Sequence, residues 1–386
     1  MRLGSLIASL ILVLLFFAVS QYRVVVQVLP DSGIVLSDSI FIAGDFNRWN
    51  PADTAFRLIS NGKDYTKIFS NIPDGRIEFK FTRGSWGKVE TGSQGQSLGN
   101  RSVTISSDTT LRFSIKGWAD AFANTTVKHS SSKQVKLMDS AFFMPQLDRY
   151  RRIWIYLPPG YQEGKKRYPV IYANDGQNLF DNFYAPFGEW GADETLDTLS
   201  ADNHINFIVV GIESGPERLR EYNPYDNDKY VKGLGIKYVA FLAETLKPYI
   251  DKHYRTLSDP RHCTIMGSSM GGLISYYAAL TRPRVFGNAG VFSPSFWIAP
   301  EIMNLTDSLA PGQTSRFFFY IGKGEGDEML HDMEEVSDRL ALLSNSLIYT
   351  VVDENGKHNE AAWRKWLPEF IKWIHSNGYE YRLSVP

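Results

Sequence analysis

The rhythm of apolar and polar positions changes twice along the chain. An apolar run from Leu6 to Val19, interrupted only by Ser9, follows Met1, Arg2 and Leu3. From Val24 to about Lys116 the pattern is short and alternating. Segments 24–28, 40–43, 76–82, 102–105 and 111–115 are predicted strands, since successive strand side chains face opposite sides. Pro-Asp, Asn-Gly and Asp-Gly pairs separate them. Such strands need a second sheet over one face, so residues 21–118 are expected to form a small all-β, immunoglobulin-like sandwich. A polar stretch rich in Asn, Thr and Ser, residues 119–134, reads as a linker. Beyond it strands alternate with helices. Segments 152–157, 170–173, 207–212, 264–266, 317–321 and 348–352 are predicted strands. Val239, Leu242, Leu246 and Ile250 recur at helical spacing, as do Trp363, Leu367, Phe370 and Ile374. Residues 135–386 are therefore expected to be α/β, a doubly wound and mainly parallel sheet with helices on both faces.

Composition narrows the partners. Lys and Arg total 41 against 42 Asp and Glu, a balance that argues against nucleic acid as a partner. The single cysteine, Cys263, excludes an internal disulfide and a Cys-based zinc site, and its place on a predicted strand suggests a buried, inert thiol. Arg2, the apolar run and the small residues Ala18, Val19 and Ser20 together resemble a secretory signal. Residues 1–20 are expected to direct export to the periplasm or the exterior, with cleavage near Ser20. Only an uncleaved segment would hold the chain at a membrane.

The chemistry centres on Gly267-Ser268-Ser269-Met270-Gly271, a Gly-x-Ser-x-Gly sequence between a predicted strand and a predicted helix. That context predicts a nucleophile elbow, with Ser269 exposed at a helix N-terminus where an oxyanion is stabilised. The matching triad runs in the order nucleophile, acid, histidine on later strand ends. Strand 317–321 runs into a loop carrying Glu325 and Asp327, and strand 348–352 runs into one carrying His358. Ser269 is the expected nucleophile and His358 the base. Glu325, nearer its strand end, is preferred to Asp327 as the orienting acid. The N–H of Met270 and that of Gln177, with Asn178 second, are the candidate oxyanion-hole donors. Trp297, after Ser293-Pro294-Ser295, is a candidate wall of the acyl site. Arg218, Arg220, Glu221 and Tyr222 are candidates for the alcohol side, and Asn178 and Trp190 are further substrate-contact candidates. His262, His331 and His375 suit structural or solvent-facing roles. No metal-binding or nucleotide-binding spacing is present, so neither metal nor cofactor is expected.

Several of these segments together resemble the esterase family related to esterase D. They are Met144-Pro145-Gln146-Leu147, Ile155-Tyr156-Leu157-Pro158-Pro159-Gly160-Tyr161, Asp175-Gly176-Gln177-Asn178-Leu179-Phe180, the elbow, and Gly356-Lys357-His358. The family includes feruloyl and acetyl xylan esterases, enterobactin esterases, S-formylglutathione hydrolases and mycolyltransferases. The resemblance implies an α/β-hydrolase fold and serine esterase activity on carboxylic esters. Its Gly-x-x-Asp/Glu motif falls on Gly322-Lys323-Gly324-Glu325. Many members carry His-Gly where this chain has Asp175-Gly176.

The first domain resembles starch-binding carbohydrate-binding modules and their glycogen-binding relatives. The likeness rests on Gly44 through Trp49-Asn50-Pro51, on Glu78-Phe79-Lys80-Phe81, and on Trp86 with Glu90, Asn100 and Arg101. It implies polysaccharide binding through Trp49 and Trp86, whose flat indoles suit the C–H face of a sugar. The alternatives are an acyltransferase on the same triad, a siderophore-lactone esterase and a non-catalytic glycan-binding protein.

Overall fold

The computed structural model describes residues 21–30, 39–47, 49–73, 75–93, 95, 98, 100–122, 129–185, 187–227 and 232–376. Two compact units emerge, Met1–Phe122 and Ala123–Pro386. The expected leader, 1–20, and the middle of the expected linker, 123–128, lie outside the described residues.

The first unit is all-β. Its strands are β1 (Gln21–Pro30), β2 (Phe41–Gly44), β3 (Ile59–Ser60), β4 (Tyr65–Pro73), β5 (Gly75–Thr82), β6 (Glu90–Thr91), β7 (Arg101–Ile105), β8 (Thr109–Ile115) and β9 (Gly117–Trp118). They pair as β3-β4-β1-β8 and β2-β5-β7, with a small β6-β9 ribbon. Alternation explains the packing. Val24, Val26 and Val28 of β1 turn inward, as do Phe79 and Phe81 of β5, and all join one core with Ile42, Ile105 and Ile115. Burying each such side chain stabilises the fold by about 1.5–3 kcal/mol. Strand β4 was not among the expected ones. Its Ile68 faces outward and is 49% exposed, so apolar and polar positions do not alternate there.

The second unit opens with β10 (Val135–Met144), β11 (Arg149–Tyr156) and β12 (Val170–Asn174). Next come α1 (Ala192–Asn203), β13 (Ile208–Ile212), α2 (Arg218–Glu221), α3 (Gly235–Phe241) and α4 (Lys247–His253). The chain continues through β14 (Cys263–Ser268), α5 (Met270–Thr281), β15 (Asn288–Phe292), α6 (Glu301–Leu309) and β16 (Arg316–Gly322). It closes with α7 (Asp327–Leu343), β17 (Leu347–Asp353) and α8 (Glu360–His375). One eight-stranded sheet results, ordered β10-β11-β13-β12-β14-β15-β16-β17. Strand β11 runs antiparallel to both neighbours, and every pairing from β13 to β17 is parallel.

Strands β12, β13, β14 and β15 are buried along their whole length, as a sheet covered on both faces requires. On one face Leu246, Ile250, Leu273, Tyr276, Met333 and Leu340 pack from the helices. On the other, Leu196 and Leu199 of α1 meet Leu367, Phe370 and Ile371 of α8. The predicted helical stripe over 239–250 falls on α3 and α4, which a π-helical turn over Leu242–Leu246 joins. The edge strand β10 was not anticipated. Its register against β11 shifts between Leu137 and Asp139 and again between Asp139 and Phe142, which scrambles the alternation.

Candidate active site

The parallel strands β14, β15, β16 and β17 deliver four loops to one edge of the sheet, the edge where open α/β sheets build their sites. Ser269 is the joint between β14 and α5. Its φ of 58° and ψ of −122° are strained for any residue with a side chain, at a cost of about 1–3 kcal/mol. Neighbours hold it there. The Ser269 N–H donates to Phe292 O (2.9 Å), and Ser269 O accepts from the N–H groups of Leu273 (3.0 Å) and Ser295 (3.2 Å). Strand and helix also close tightly. A β-carbon on Gly267 would stand 2.8 Å from the Gly271 backbone, so the elbow needs glycine there. Met270 opens α5, and an N–H in a helix's first turn has no carbonyl within the helix to meet it.

Glu325 and His358 come together from the ends of β16 and β17. The Nδ1–H of His358 donates to Glu325 Oε2 at 2.7 Å. The carboxylate is fully buried, while the imidazole is 36% exposed. Its other oxygen, Oε1, accepts from Ser293 Oγ (2.8 Å) and from the Gly322 N–H (2.8 Å). Trp363 Nε1 in turn donates to Ser293 Oγ (2.9 Å), and its ring stands edge-on to His358 at 5.2 Å. The two loops can approach because Gly322 lies against Gly356, where any β-carbon would collide. Of the two candidate acids, Glu325 is the one on His358. Asp327 is exposed in the first turn of α7. With a proton on Nδ1, the imidazole keeps Nε2 as the acceptor.

The loop after β12 is the third component. Asp175 adopts a left-handed φ of 56°, and its N–H donates to Tyr222 Oη (3.2 Å). Arg218 donates through Nε and Nη2 to both Asp175 carboxylate oxygens, each at 2.7 Å. Burial opposes the charge on Arg218, yet Asp175 outweighs it and the guanidinium pKa is raised. Burial likewise pushes the Tyr222 phenol up. Arg218, read from sequence as an alcohol-side contact, instead braces this loop. Glu221 is buried and accepts from Arg151 (2.6 Å).

Between the two candidate donors here, the Asn178 N–H is spent on Asp175 O (2.9 Å), inside the turn. The Gln177 side chain is clamped to Ser214, donating to its Oγ (2.9 Å) and accepting from its N–H (3.0 Å). Asn178 Nδ2 donates to Glu360 Oε1 (3.2 Å).

The remaining candidates divide. Trp297 is 39% exposed in the turn after Ser295. Arg220 is tied to its own loop, with Nη1 on Glu217 (2.6 Å) and Nε on Lys232 O (3.1 Å). Trp190 is a core residue, buried between Phe292 and Trp363 with ring centroids 5.0 and 5.7 Å away, and has almost no surface to offer a substrate. The sequence reading missed three contributors. Ser293 and Trp363 brace Glu325, and Ser295 Oγ stands 3.1 Å from Ser269 Oγ. The one signal for the two serines was the Ser-Pro-Ser run, read only as the approach to Trp297, and Trp363 was read only as part of a helical apolar stripe.

In the first unit, Trp49 and Trp86 are half-buried neighbours with ring centroids 6.3 Å apart and planes inclined at 33°. Glu90 turns inward, accepting from the Phe81 N–H (2.9 Å) and from Arg101 Nη2 (2.7 Å).

The family described as "Putative esterase" matches residues 145–374, more than half of the chain. The chain belongs to the Esterase family. It is a carboxylic ester hydrolase with an α/β-hydrolase fold and an added all-β unit. This esterase is similar to YbbA of Bacillus subtilis, 34% identical over 244 residues, which are 58% of this chain and 92% of YbbA. It is 26% identical over 250 residues to an endo-1,4-beta-xylanase/feruloyl esterase of Xylanibacter ruminicola, over 64% of this chain but only 31% of that longer protein. A stretch of 83 residues is 36% identical to an alpha-amylase of Niallia circulans, 21% of this chain and 6% of the amylase. Among solved structures, the enterobactin esterase FES of Shigella flexneri shares the fold, with TM-score 0.53 and 14% identity over 87% of this chain and 88% of FES.

Proposed function

We propose that this esterase is exported and removes acyl groups esterified to glycans, using Ser269 as nucleophile, His358 as general base and Glu325 as the orienting acid. The observation that carries this reading is the 2.7 Å bond from His358 to the buried Glu325, on the ends of β16 and β17 at the same edge of the sheet as the Ser269 elbow. Ser269 Oγ attacks the ester carbonyl and passes its proton to His358 Nε2. The tetrahedral oxyanion is held by the N–H groups of Met270 and Gln177. His358 then protonates the departing alcohol, leaving an acyl group on Ser269. Water repeats the sequence and frees the acid. Glu325, held by three donors, keeps the imidazole in the tautomer that this requires and stabilises its cationic form.

Three features support the substrate and location. The paired indoles of Trp49 and Trp86 offer flat apolar faces in a sandwich whose sequence resembles starch-binding modules. A stretch of this chain is similar to an alpha-amylase, and the hydrolase unit to a protein with feruloyl esterase in its name. Arg2, the apolar run that follows it and the small residues Ala18, Val19 and Ser20 support export. A panel of a nitrophenyl acetate, acetylated and feruloylated glycans, and siderophore lactones tests the reading. Higher kcat/KM on a glycan ester than on any lactone is expected. Preference for a lactone would replace glycan esters as the substrate class while leaving the triad in place.

A further inference from the structure

Ser295 is 3% exposed, and its hydroxyl faces the nucleophile at 3.1 Å. Its N–H also donates to Ser269 O at 3.2 Å, so backbone and side chain are both registered on the elbow. We propose that Ser295 is a catalytic residue that donates a hydrogen bond to Ser269 Oγ and acts mainly on release of the acyl group. This rests on the assignment of Ser269 as nucleophile.

The direction of the bond follows from the reaction. The Ser269 proton goes to His358, which leaves an Oγ lone pair to accept from Ser295. In the free enzyme that bond is already made, and it persists as Oγ attacks, so it adds little to acylation. In the acyl-enzyme, Oγ is an ester oxygen whose lone pair is drawn into the carbonyl, a weak acceptor. When water has added to the carbon and the C–Oγ bond breaks, Oγ takes back the electron pair and becomes a strong acceptor. Only then does Ser295 O–H gain a partner it lacked in the ground state, and only an interaction that strengthens in the transition state accelerates a step. His358 delivers the proton to Oγ as the bond breaks. Ser295 transfers none and returns to its starting state.

The test is the pre-steady-state hydrolysis of a nitrophenyl acetate by Ser295→Ala. Nitrophenol burst amplitude counts folded, acylating sites, which separates slow deacylation from misfolding. Intact-protein mass spectrometry follows decay of the acetyl-enzyme directly. Decay should slow about tenfold or more, the scale of a lost hydrogen bond to a charged group, with a near-stoichiometric burst. The acylation kcat/KM should change by less than about threefold. Ser295→Thr, which keeps the hydroxyl, should restore decay. Equal losses in both steps, or unchanged decay in Ser295→Ala, would overturn the proposal. Absence of any acetyl group on wild-type Ser269 would instead overturn the nucleophile assignment beneath it.

Discussion

The two units use their polar motif residues in opposite ways. In the sandwich, Glu90 and Arg101 pair with each other, and Lys80 Nζ donates to Leu98 O at 2.5 Å. Arg101 also lies over the Phe81 and Phe113 rings, at 5.3 and 5.1 Å. These residues hold strands together, and Trp49 and Trp86 are what the motif leaves partly open. In the hydrolase unit the motif residues are gathered from separate strand ends onto one edge, where Glu325 is buried but His358 is open to solvent. A sandwich closes its polar residues into pairs along neighbouring strands. A doubly wound sheet feeds successive loops to one edge, and chemistry collects there.

That contrast is sharpest at the elbow. Ser269→Ala should lower aryl ester turnover by about 10⁴-fold or more, as loss of a nucleophile does, with an unchanged circular dichroism spectrum. Within the same unit, Glu325→Gln should cost about 10²–10⁴-fold in kcat, since a neutral amide neither fixes the imidazole nor stabilises its cation. Exposed Asp327→Asn should stay within about twofold in kcat while losing about 0.3–1 kcal/mol of stability, its share of the α7 dipole. A crippled Asp327→Asn would dissolve the distinction between the two acids.

The sandwich should respond in the reverse sense. Trp49→Ala or Trp86→Ala should leave aryl acetate turnover unchanged. Each should also weaken retention of the whole protein in α-glucan affinity gels by about tenfold, the loss typical of a truncated central aromatic contact. Equal retention of the variants and wild type would make the sandwich a spacer.

The smallest expected effect is on stability. Asp193, fully buried at the head of α1, has its carboxyl pushed up to about 7, chiefly by burial and further by Glu194. A raised carboxyl binds its proton more tightly in the folded state, so this stabilisation is present at acid pH and fades as pH rises towards 7. Asp193→Asn should flatten the fall in Tm between about pH 4 and 7. An equally steep fall in the variant would assign the slope to other groups.

Much of this arrangement is legible in the chain because each site residue closes a strand and has a glycine nearby. The placement of Ser269, Glu325 and His358 just beyond strand ends is recognisable from that grammar alone. What the sequence hides is orientation and long-range pairing. Nothing near Trp190 tells which way its ring points, and packing against Phe292 and Trp363 puts it in the core. Asp175 and Arg218 are 43 residues apart, and no local pattern announces their pairing. Strands β4 and β10 escape for a related reason: an outward Ile68 and two register shifts break the alternation by which strands are recognised.

The central claim is that Ser269, served by His358 and Glu325, carries the acyl group. Its most direct measurement is peptide mapping by mass spectrometry after treatment with a fluorophosphonate, which phosphonylates an activated serine. One adduct per chain is expected, on the peptide holding Ser269. It should be absent in Ser269→Ala and formed at least about 10²-fold more slowly in Glu325→Gln. An adduct on another serine, or equal labelling of wild type and Glu325→Gln, would contradict the account.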